Sequence, residues 1–514
     1  MTASANAASY FVDRHVDVRP DKIAFREATG KKRQLSYGQL AQDSGVLASS
    51  LVRAGIRREA RAAMLVLDQI EFPQIFWGTI KAGVVPVPMN TLLAPPVYEA
   101  ILRDSRATVL FVSAELWSAI EPAVKDAPDL EHVVVIGGDA PDGTISYDDF
   151  IADAEPMPPV DCSEDEVAFW LYSSGSTGLP KGVRHVHGAL RATAETYGDQ
   201  VLQLVEDDVV YSVAKLFFAY GLGNALSMPM AVGATSVLFN ARPTPEVVLD
   251  ILESEKPTVF CGVPTLYAAT LAQLEMVEKP NIPLRRCISA GEALPEDIGR
   301  RWSALWGVDI LDGVGSTEML HIFLSNRADD VVYGTSGVAV PGYDLRLVDE
   351  AGNDVAQGEI GELLVRGASG AEGYWNQREK SRATFEGEWT RTGDKYERNE
   401  QGRYIYCGRT DDMFKVSGIW LSPFEVEQAL ISHPLVLESA VVSARDSEGL
   451  EKPKAYIVLN EGAPSDELAA ELKEFVKEEI GKWKYPRWIE FVEDLPKTST
   501  GKIQRFKLRD TVPE

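Results

Sequence analysis

The sequence predicts an α/β protein with a large N-terminal domain of layered α/β subdomains and a small α+β C-terminal domain. Three observations carry that expectation. From about residue 35 to 315, helical and strand-like segments alternate, the pattern of layered sheets with largely parallel strands. Around 385 to 420 the character changes to short hairpin signals, and a new compact unit follows. The 514 residues, 45% hydrophobic and 25% charged, are ordinary globular material with ample core and length for about three folding units.

Taken in order, Ser36 with Gln39 forms a capping-box pattern ahead of Leu40, Val46, Leu47 and Leu51, and Gly55 closes that helix. Ala62-Ala-Met-Leu-Val-Leu67 then reads as a buried strand. The cycle repeats with a helix over 72 to 83, a strand over 84 to 88, a helix over 96 to 106 and a strand over 108 to 112. No short-period repeat or low-complexity linker interrupts it. Trp389, Thr390, Tyr404, Ile405, Tyr406, Gly408 and Gly418 mark the hairpin region. Beyond it the order is α-β-β-α-β: a helix started by Ser422, Pro423 and Glu425, strands near 437 to 443 and 454 to 459, a polar helix over 465 to 480, and a strand near 488 to 492. The domain boundary is placed at Arg409, giving domains 1–408 and 409–514.

The formal charge of −26 argues against a nucleic-acid partner, because most of the surface would repel a phosphate backbone. A polyanionic ligand therefore needs a local basic pocket. Between Lys482 and Arg509 eight Lys/Arg face three acids, and this is one candidate. Cys162, Cys261, Cys287 and Cys407 are scattered without a C-x-x-C pair, and His185-x-His187 is too short for a metal set, so reduced thiols are expected. Residues 1 to 20 lack an apolar core of signal-peptide length, and no stretch reaches ~18 uncharged apolar residues. A cytoplasmic protein without membrane partner, monomeric or homodimeric, is the expectation.

The most informative segment is Tyr172-Ser-Ser-Gly-Ser-Thr-Gly-Leu-Pro-Lys-Gly182, directly after the apolar run Val167 to Leu171. Ser173, Ser174, Ser176 and Thr177 supply hydroxyls, Gly175 and Gly178 let backbone N–H groups approach phosphate oxygens, and Lys181 adds positive charge. It is not a Walker loop, since Pro180 and Gly182 stand where that pattern requires glycine and a hydroxyl. A metal ligand must come from elsewhere.

Four further segments follow: Ser289-Ala-Gly-Glu-Ala-Leu294, Asp312-Gly-Val-Gly-Ser-Thr-Glu318, Thr392-Gly-Asp394 with Gly408-Arg-Thr-Asp-Asp412, and Pro496-Lys-Thr-Ser-Thr-Gly-Lys502. Together the five resemble the adenylate-forming superfamily of acyl-CoA synthetases, non-ribosomal peptide adenylation domains and firefly-type luciferases. The resemblance spans most of the chain and implies ATP, Mg²⁺ and coenzyme A as co-substrates and metal. It implies that Glu318 binds magnesium bridging the ATP phosphates, with Thr317 at the α-phosphate. Gly291 and Glu292 would line the adenine pocket, with Asp312 accepting from the exocyclic amine. Gly313 and Gly315 flank Val314, which stands where many members carry an adenine-stacking aromatic, so adenine packing should be aliphatic. Asp394 and Arg409 would meet the ribose, Asp411 matches the hinge of a mobile small domain, and Lys502 matches the adenylation lysine. Lys415, Ser417 and Gly418 resemble the loop lining the pantetheine tunnel.

Within the superfamily, Lys215-Leu-Phe-Phe-Ala-Tyr-Gly-Leu-Gly-Asn224 and Gly315-Ser-Thr-Glu-Met-Leu-His-Ile-Phe-Leu-Ser-Asn326 resemble benzoate-CoA ligases and their hydroxybenzoate relatives. Phe218, Ala219, Tyr220, Gly221, His321 and Ile322 would wall a short, flat pocket for an aromatic carboxylate. Tyr220 or His321 is the expected recogniser of a ring hydroxyl or amino group, which keeps 4-hydroxybenzoate and 2-aminobenzoate open beside benzoate. The implied reaction gives aroyl-CoA, AMP and pyrophosphate through an acyl-adenylate. The alternative is an aryl-acid adenylation enzyme that loads a carrier protein.

Overall fold

Ser36 starts the first long helix, Tyr37–Arg53, through a complete capping box: its Oγ accepts from Gln39 N at 3.2 Å, and Gln39 Oε1 accepts from Ser36 N at 3.1 Å. The computed structural model describes residues 5–173, 180–416, 419–446, 450–460, 462–481, 484–497 and 503–509. Cα packing divides the chain into two units, Met1–Asp344 with Val365–Thr390, and Leu345–Leu364 with Arg391–Glu514. Residues 391–408, read from sequence as the end of the N-terminal domain, thus pack with the second unit.

In the first unit the helix–strand cycle builds two sheets. One runs in the order Val85–Pro88, Arg61–Leu65, Ala107–Ser113, His132–Ile136, Ile145–Ser146, with every neighbouring pair parallel. Val85–Pro88 is its edge, where Pro86 and Pro88, which have no N–H to donate, are tolerated. The other has nine strands. Its parallel centre runs Ile310–Gly315, Arg286–Ser289, Val259–Gly262, Val209–Ser212, Thr235–Leu238, Ile23–Glu27. Antiparallel strands finish it at both ends: Ile322–Ser325 and Val338–Ala339 on one side, Gln34–Ser36 on the other. A smaller antiparallel sheet joins Gly373–Tyr374, Lys181–Val186 and Val167–Ser173.

The second unit contains the expected α-β-β-α-β run. Ser422 caps Pro423–Ile431 by accepting from Glu425 N at 3.1 Å. Val436–Arg445 pairs antiparallel with Glu451–Leu459, which pairs parallel with Trp488–Phe491. Helix Asp466–Ile480 buries Leu468, Leu472 and Val476 in a core shared with Val426, Leu430, Val441 and Ile457. A short helix, Arg505–Arg509, is an addition to the pattern read from sequence. The four cysteines are unbridged, and among the described residues no helix is long and apolar enough to cross a membrane.

Candidate active site

The site in the first unit is organised by one tight turn. Strand Ile310–Gly315 reverses through residues 316 to 321 straight into the antiparallel strand Ile322–Ser325, with Gly315 opposite Ile322. Thr317 and Glu318 therefore lie in a turn and cap no helix. Ser316 Oγ accepts from Met319 N at 3.1 Å, and Leu320 holds a φ of 65°, a left-handed conformation costly for a branched side chain. The glycines answer first to this reversal: a Cβ on Gly315 would lie 2.6 Å from the His321 carbonyl oxygen, and one on Gly313 2.9 Å from Ile322 Cγ2. Close packing of the two strands, rather than ligand approach, is their immediate physical requirement.

One side of the turn faces Lys181. Ser173 and Lys181 end the two strands that flank residues 174 to 179 and stand opposite each other in register. Ser174, Gly175, Ser176, Thr177 and Gly178 lie outside the described residues. Lys181 Nζ is 3.9 Å from Glu318 Oε1, their side chains being 18% and 16% exposed. Between them lies Tyr374: its Oη accepts from Lys181 Nζ at 3.1 Å and donates to Glu318 Oε1 at 2.8 Å. Among the described residues no cluster of three or more His, Cys, Asp or Glu could hold a metal by itself. One carboxylate beside a lysine fits Mg²⁺, which keeps waters and is held through one or two carboxylates plus substrate phosphates.

Next to the turn, Asp312 and Ser289 are register partners on adjacent parallel strands. Asp312 Oδ1 and Ser289 Oγ are buried without a hydrogen-bond partner among the described residues. Burial holds the Asp312 carboxyl well above the usual carboxylate range, with the Leu294 main chain opposing. Two orphaned polar groups lie side by side toward the carboxyl ends of parallel strands, where a polar heterocycle would satisfy them. Gly291 holds a φ of 97°, Glu292 is exposed and Val314 is half-buried.

The other side of the turn carries His321, which is 2% exposed. Its ring lies 5.2 Å from that of Tyr197 and 5.8 Å, at 24°, from that of Tyr220. Neither ring nitrogen has a hydrogen-bond partner of normal geometry among the described residues. Burial pushes the imidazole down to about 3, against a raising contribution from the Tyr220 main chain, so it is neutral at pH 7. Tyr220 Oη donates to Gly262 O at 3.0 Å, which occupies its proton and leaves His321 as the group with spare polar capacity. Ile322 is buried, Phe218 and Ala219 are half-buried, and Phe217 belongs to the buried interior. Gly221 is set by main-chain packing, since a Cβ there would lie 2.5 Å from Ala214 O.

Within the second unit, Asp394 and Arg409 are cross-strand partners, and Arg409 Nη1 donates to Asp394 Oδ1 at 2.9 Å. Thr392 braces both: its carbonyl accepts from Arg409 Nη1 at 3.0 Å and its Oγ1 from Asp394 N at 3.1 Å. Asp411 is exposed. Lys415 lies on strand Phe414–Val416, while Ser417, Gly418 and Lys502 fall outside the described residues.

Residues 12–375 match the AMP-binding enzyme family, and residues 425–502 match the AMP-binding enzyme C-terminal domain. The chain belongs to the AMP-binding enzyme family. It is 53% identical over 98% of its length to a 4-hydroxybenzoate–CoA/benzoate–CoA ligase of Rhodopseudomonas palustris, covering 94% of that protein. A benzoate CoA ligase from Burkholderia xenovorans LB400 superposes with TM-score 0.90 at 47% identity, with 99% and 100% of the two chains covered. An anthranilate CoA ligase solved with anthranoyl-AMP gives 0.94 at 43% identity, with 99% and 97% covered.

Several side chains of this AMP-binding enzyme's site escaped the sequence reading. Tyr374 is 56 residues from Glu318 and 193 from Lys181, with no shared pattern to link them. Tyr197 and Asn224 sit on π-helical stretches, Ala194–Val201 and Gly223–Ser227. Such stretches break the 3.6-residue period and recur at functional sites. The Asn224 amide is buried beside the Tyr220 hydroxyl, with neither atom in a hydrogen bond of normal geometry among the described residues.

Proposed function

We propose that the protein is an aryl-CoA ligase that activates benzoate, or a hydroxy- or aminobenzoate, with ATP and joins it to coenzyme A. The carrying observation is the turn itself: Glu318, facing Lys181, and His321, stacked near Tyr220, are three residues apart. A carboxylate held by the second group thereby lies beside a triphosphate held by the first. His321, Ile322, Tyr220, Phe218 and Ala219 offer an aromatic and aliphatic lining suited to a planar ring. The neutral imidazole and the Asn224 amide would hydrogen-bond a ring substituent, so polar-substituted benzoates fall within range.

In the first half-reaction the acid's carboxylate oxygen attacks the α-phosphorus and pyrophosphate leaves. Lys181 and the hydroxyl-rich loop hold the departing phosphates, Thr317 contacts the α-phosphate, and Lys502 stabilises charge on the reacting oxygens. Glu318 would hold Mg²⁺, which when bound neutralises phosphate charge. Asp312 and Ser289 take the adenine edge, Val314 packs on its face, Gly291 and Glu292 border it, and Asp394 with Arg409 receive the ribose. In the second half-reaction the CoA thiol attacks the acyl carbonyl and AMP leaves. That face is reached by rotation about Asp411 of the domain 409–514, with Lys415, Ser417 and Gly418 along the pantetheine path. Catalysis in the cytoplasm by a monomer or homodimer completes the reading.

A substrate panel of benzoate, its 2- and 4-substituted analogues and hexanoate tests it. The arylcarboxylates should show the higher kcat/KM, with thioester forming on free CoA. Faster turnover of hexanoate than of any aryl acid would reject the substrate class. Transfer only to a carrier protein would reject the acceptor.

A further inference from the structure

The Tyr374 phenol touches both Lys181 and Glu318 and takes no part in the proposed half-reactions. It is 5% exposed, and its strand Gly373–Tyr374 pairs with Lys181–Val186, the strand that Lys181 opens. Tyr374 N donates to Ser381 Oγ at 3.0 Å, and Ala371 N donates to Glu318 O at 2.8 Å, so the segment is tied to both partners through the main chain. The Lys181 ammonium also sits 4.2 Å from the centre of the Tyr374 ring. A phenol has one proton and can donate once while accepting from another group. Here the donation goes to Glu318 Oε1 at 2.8 Å in preference to Thr384 Oγ1 at 3.5 Å, and the acceptance comes from Lys181, the arrangement that suits both charges.

We propose that Tyr374 is a positioning residue for metal-loaded ATP. Its hydroxyl fixes Glu318 through Oε1 and spaces it from Lys181, so that the carboxylate can meet a divalent cation while the ammonium meets phosphate. Without the hydroxyl, Lys181 and Glu318 close on each other as a direct ion pair, and each must be pulled away before Mg·ATP binds. Among the described residues no hydrogen bond engages Glu318 Oε2, which leaves that oxygen for the metal. The assignment rests on the adenylate-forming reading but not on the identity of the acid.

The test is calorimetric binding of ATP to wild type and Tyr374→Phe at saturating and limiting Mg²⁺, with metal-free AMP as control and no carboxylic acid present. Mg·ATP affinity should fall about tenfold, the scale of one charge-assisted hydrogen bond, while AMP affinity stays unchanged. Ser381→Ala, which keeps the phenol but loosens its strand, should shift Mg·ATP binding in the same direction by less. Wild-type Mg·ATP affinity in folded Tyr374→Phe would overturn the assignment, as would an equal loss for ATP and AMP. If Tyr374→Phe does not fold, a Ser381→Ala protein with no selective loss for Mg·ATP overturns it instead. Wild type that binds neither nucleotide would sink the adenylate reading as well, whereas wrong acid specificity would leave these affinities untouched.

Discussion

Gly223→Ala tests the proposed acyl side of the site separately from the proposed phosphate side. A Cβ at 223 would lie 2.8 Å from His321 Nε2 and closer still to Cδ2, so the imidazole must move. Tyr197 and Tyr220 stand within 5.2 and 5.8 Å of its ring centre and block an easy sideways shift. Overpacking of this kind costs ~1–3 kcal/mol. Alanine's helix propensity returns about 1 kcal/mol of that, so the variant should fold with a modest net loss. Its catalytic loss should be larger, because a displacement of about 1 Å in a positioning group can cost ~10²-fold. Benzoate kcat/KM should therefore fall by about 10- to 100-fold with KM for ATP nearly unchanged, measured by thioester formation alongside a thermal melt. Unchanged benzoate kcat/KM in a folded protein would refute the placement of His321 in the acyl site. Gly221→Ala is the contrasting case: its Cβ would meet the rigid Ala214 carbonyl at 2.5 Å and should reduce soluble yield.

Acid should destabilise the fold through buried imidazoles. Burial lowers His185 and His321 to about 3 and His15 and His187 to about 4, from 6.5. Between those values the unfolded chain binds protons that the native one refuses. The stabilisation is complete above about pH 6.5 and is lost as pH falls. Asp68, raised to about 6 by burial, acts in the opposite sense below that pH and offsets part of it. His321→Phe should lower the slope of unfolding free energy against pH by ~1.4 kcal/mol per unit in this window, read from urea melts; an unchanged slope would place a charged or exposed imidazole there. Lys502→Ala should abolish most adenylation while sparing thioester formation from supplied acyl-adenylate, and equal loss in both half-reactions would contradict the assignment of Lys502 to one face. Ser36→Ala should cost about 1 kcal/mol in denaturant midpoint analysis through loss of the cap, with no change in KM for either substrate.

Local chemistry was legible where one stretch of chain carries its own reason. Ser36 with Gln39, and Ser422 with Pro423 and Glu425, set helix starts through hydrogen bonds three residues long. The apolar runs at 62–67 and 108–112 read as buried strands, and strands 61–65 and 107–113 pair in parallel. Relations across the chain were not legible in the same way. Ile23–Glu27 ends the parallel run of the nine-stranded sheet beside Thr235–Leu238, a pairing no local pattern announces. The resemblance assigns Asp394 and Arg409 each to the ribose, whereas their mutual ion pair follows from a hairpin register. Tyr374 was missed because its two partners arrive from distant segments. The need for glycine at 313, 315 and 223 comes from the neighbouring strand and from His321, contacts that no local pattern announces.

The central claim is that a carboxylate on the His321 side of the turn attacks ATP held on the Glu318 side. Isotope exchange between pyrophosphate and ATP, run with benzoate and without CoA, measures that step alone. Benzoate-dependent exchange, followed on adding CoA by AMP and benzoyl thioester in equal amounts, is the predicted result. Release of ADP, or exchange that does not respond to benzoate or any substituted benzoate, would contradict the account.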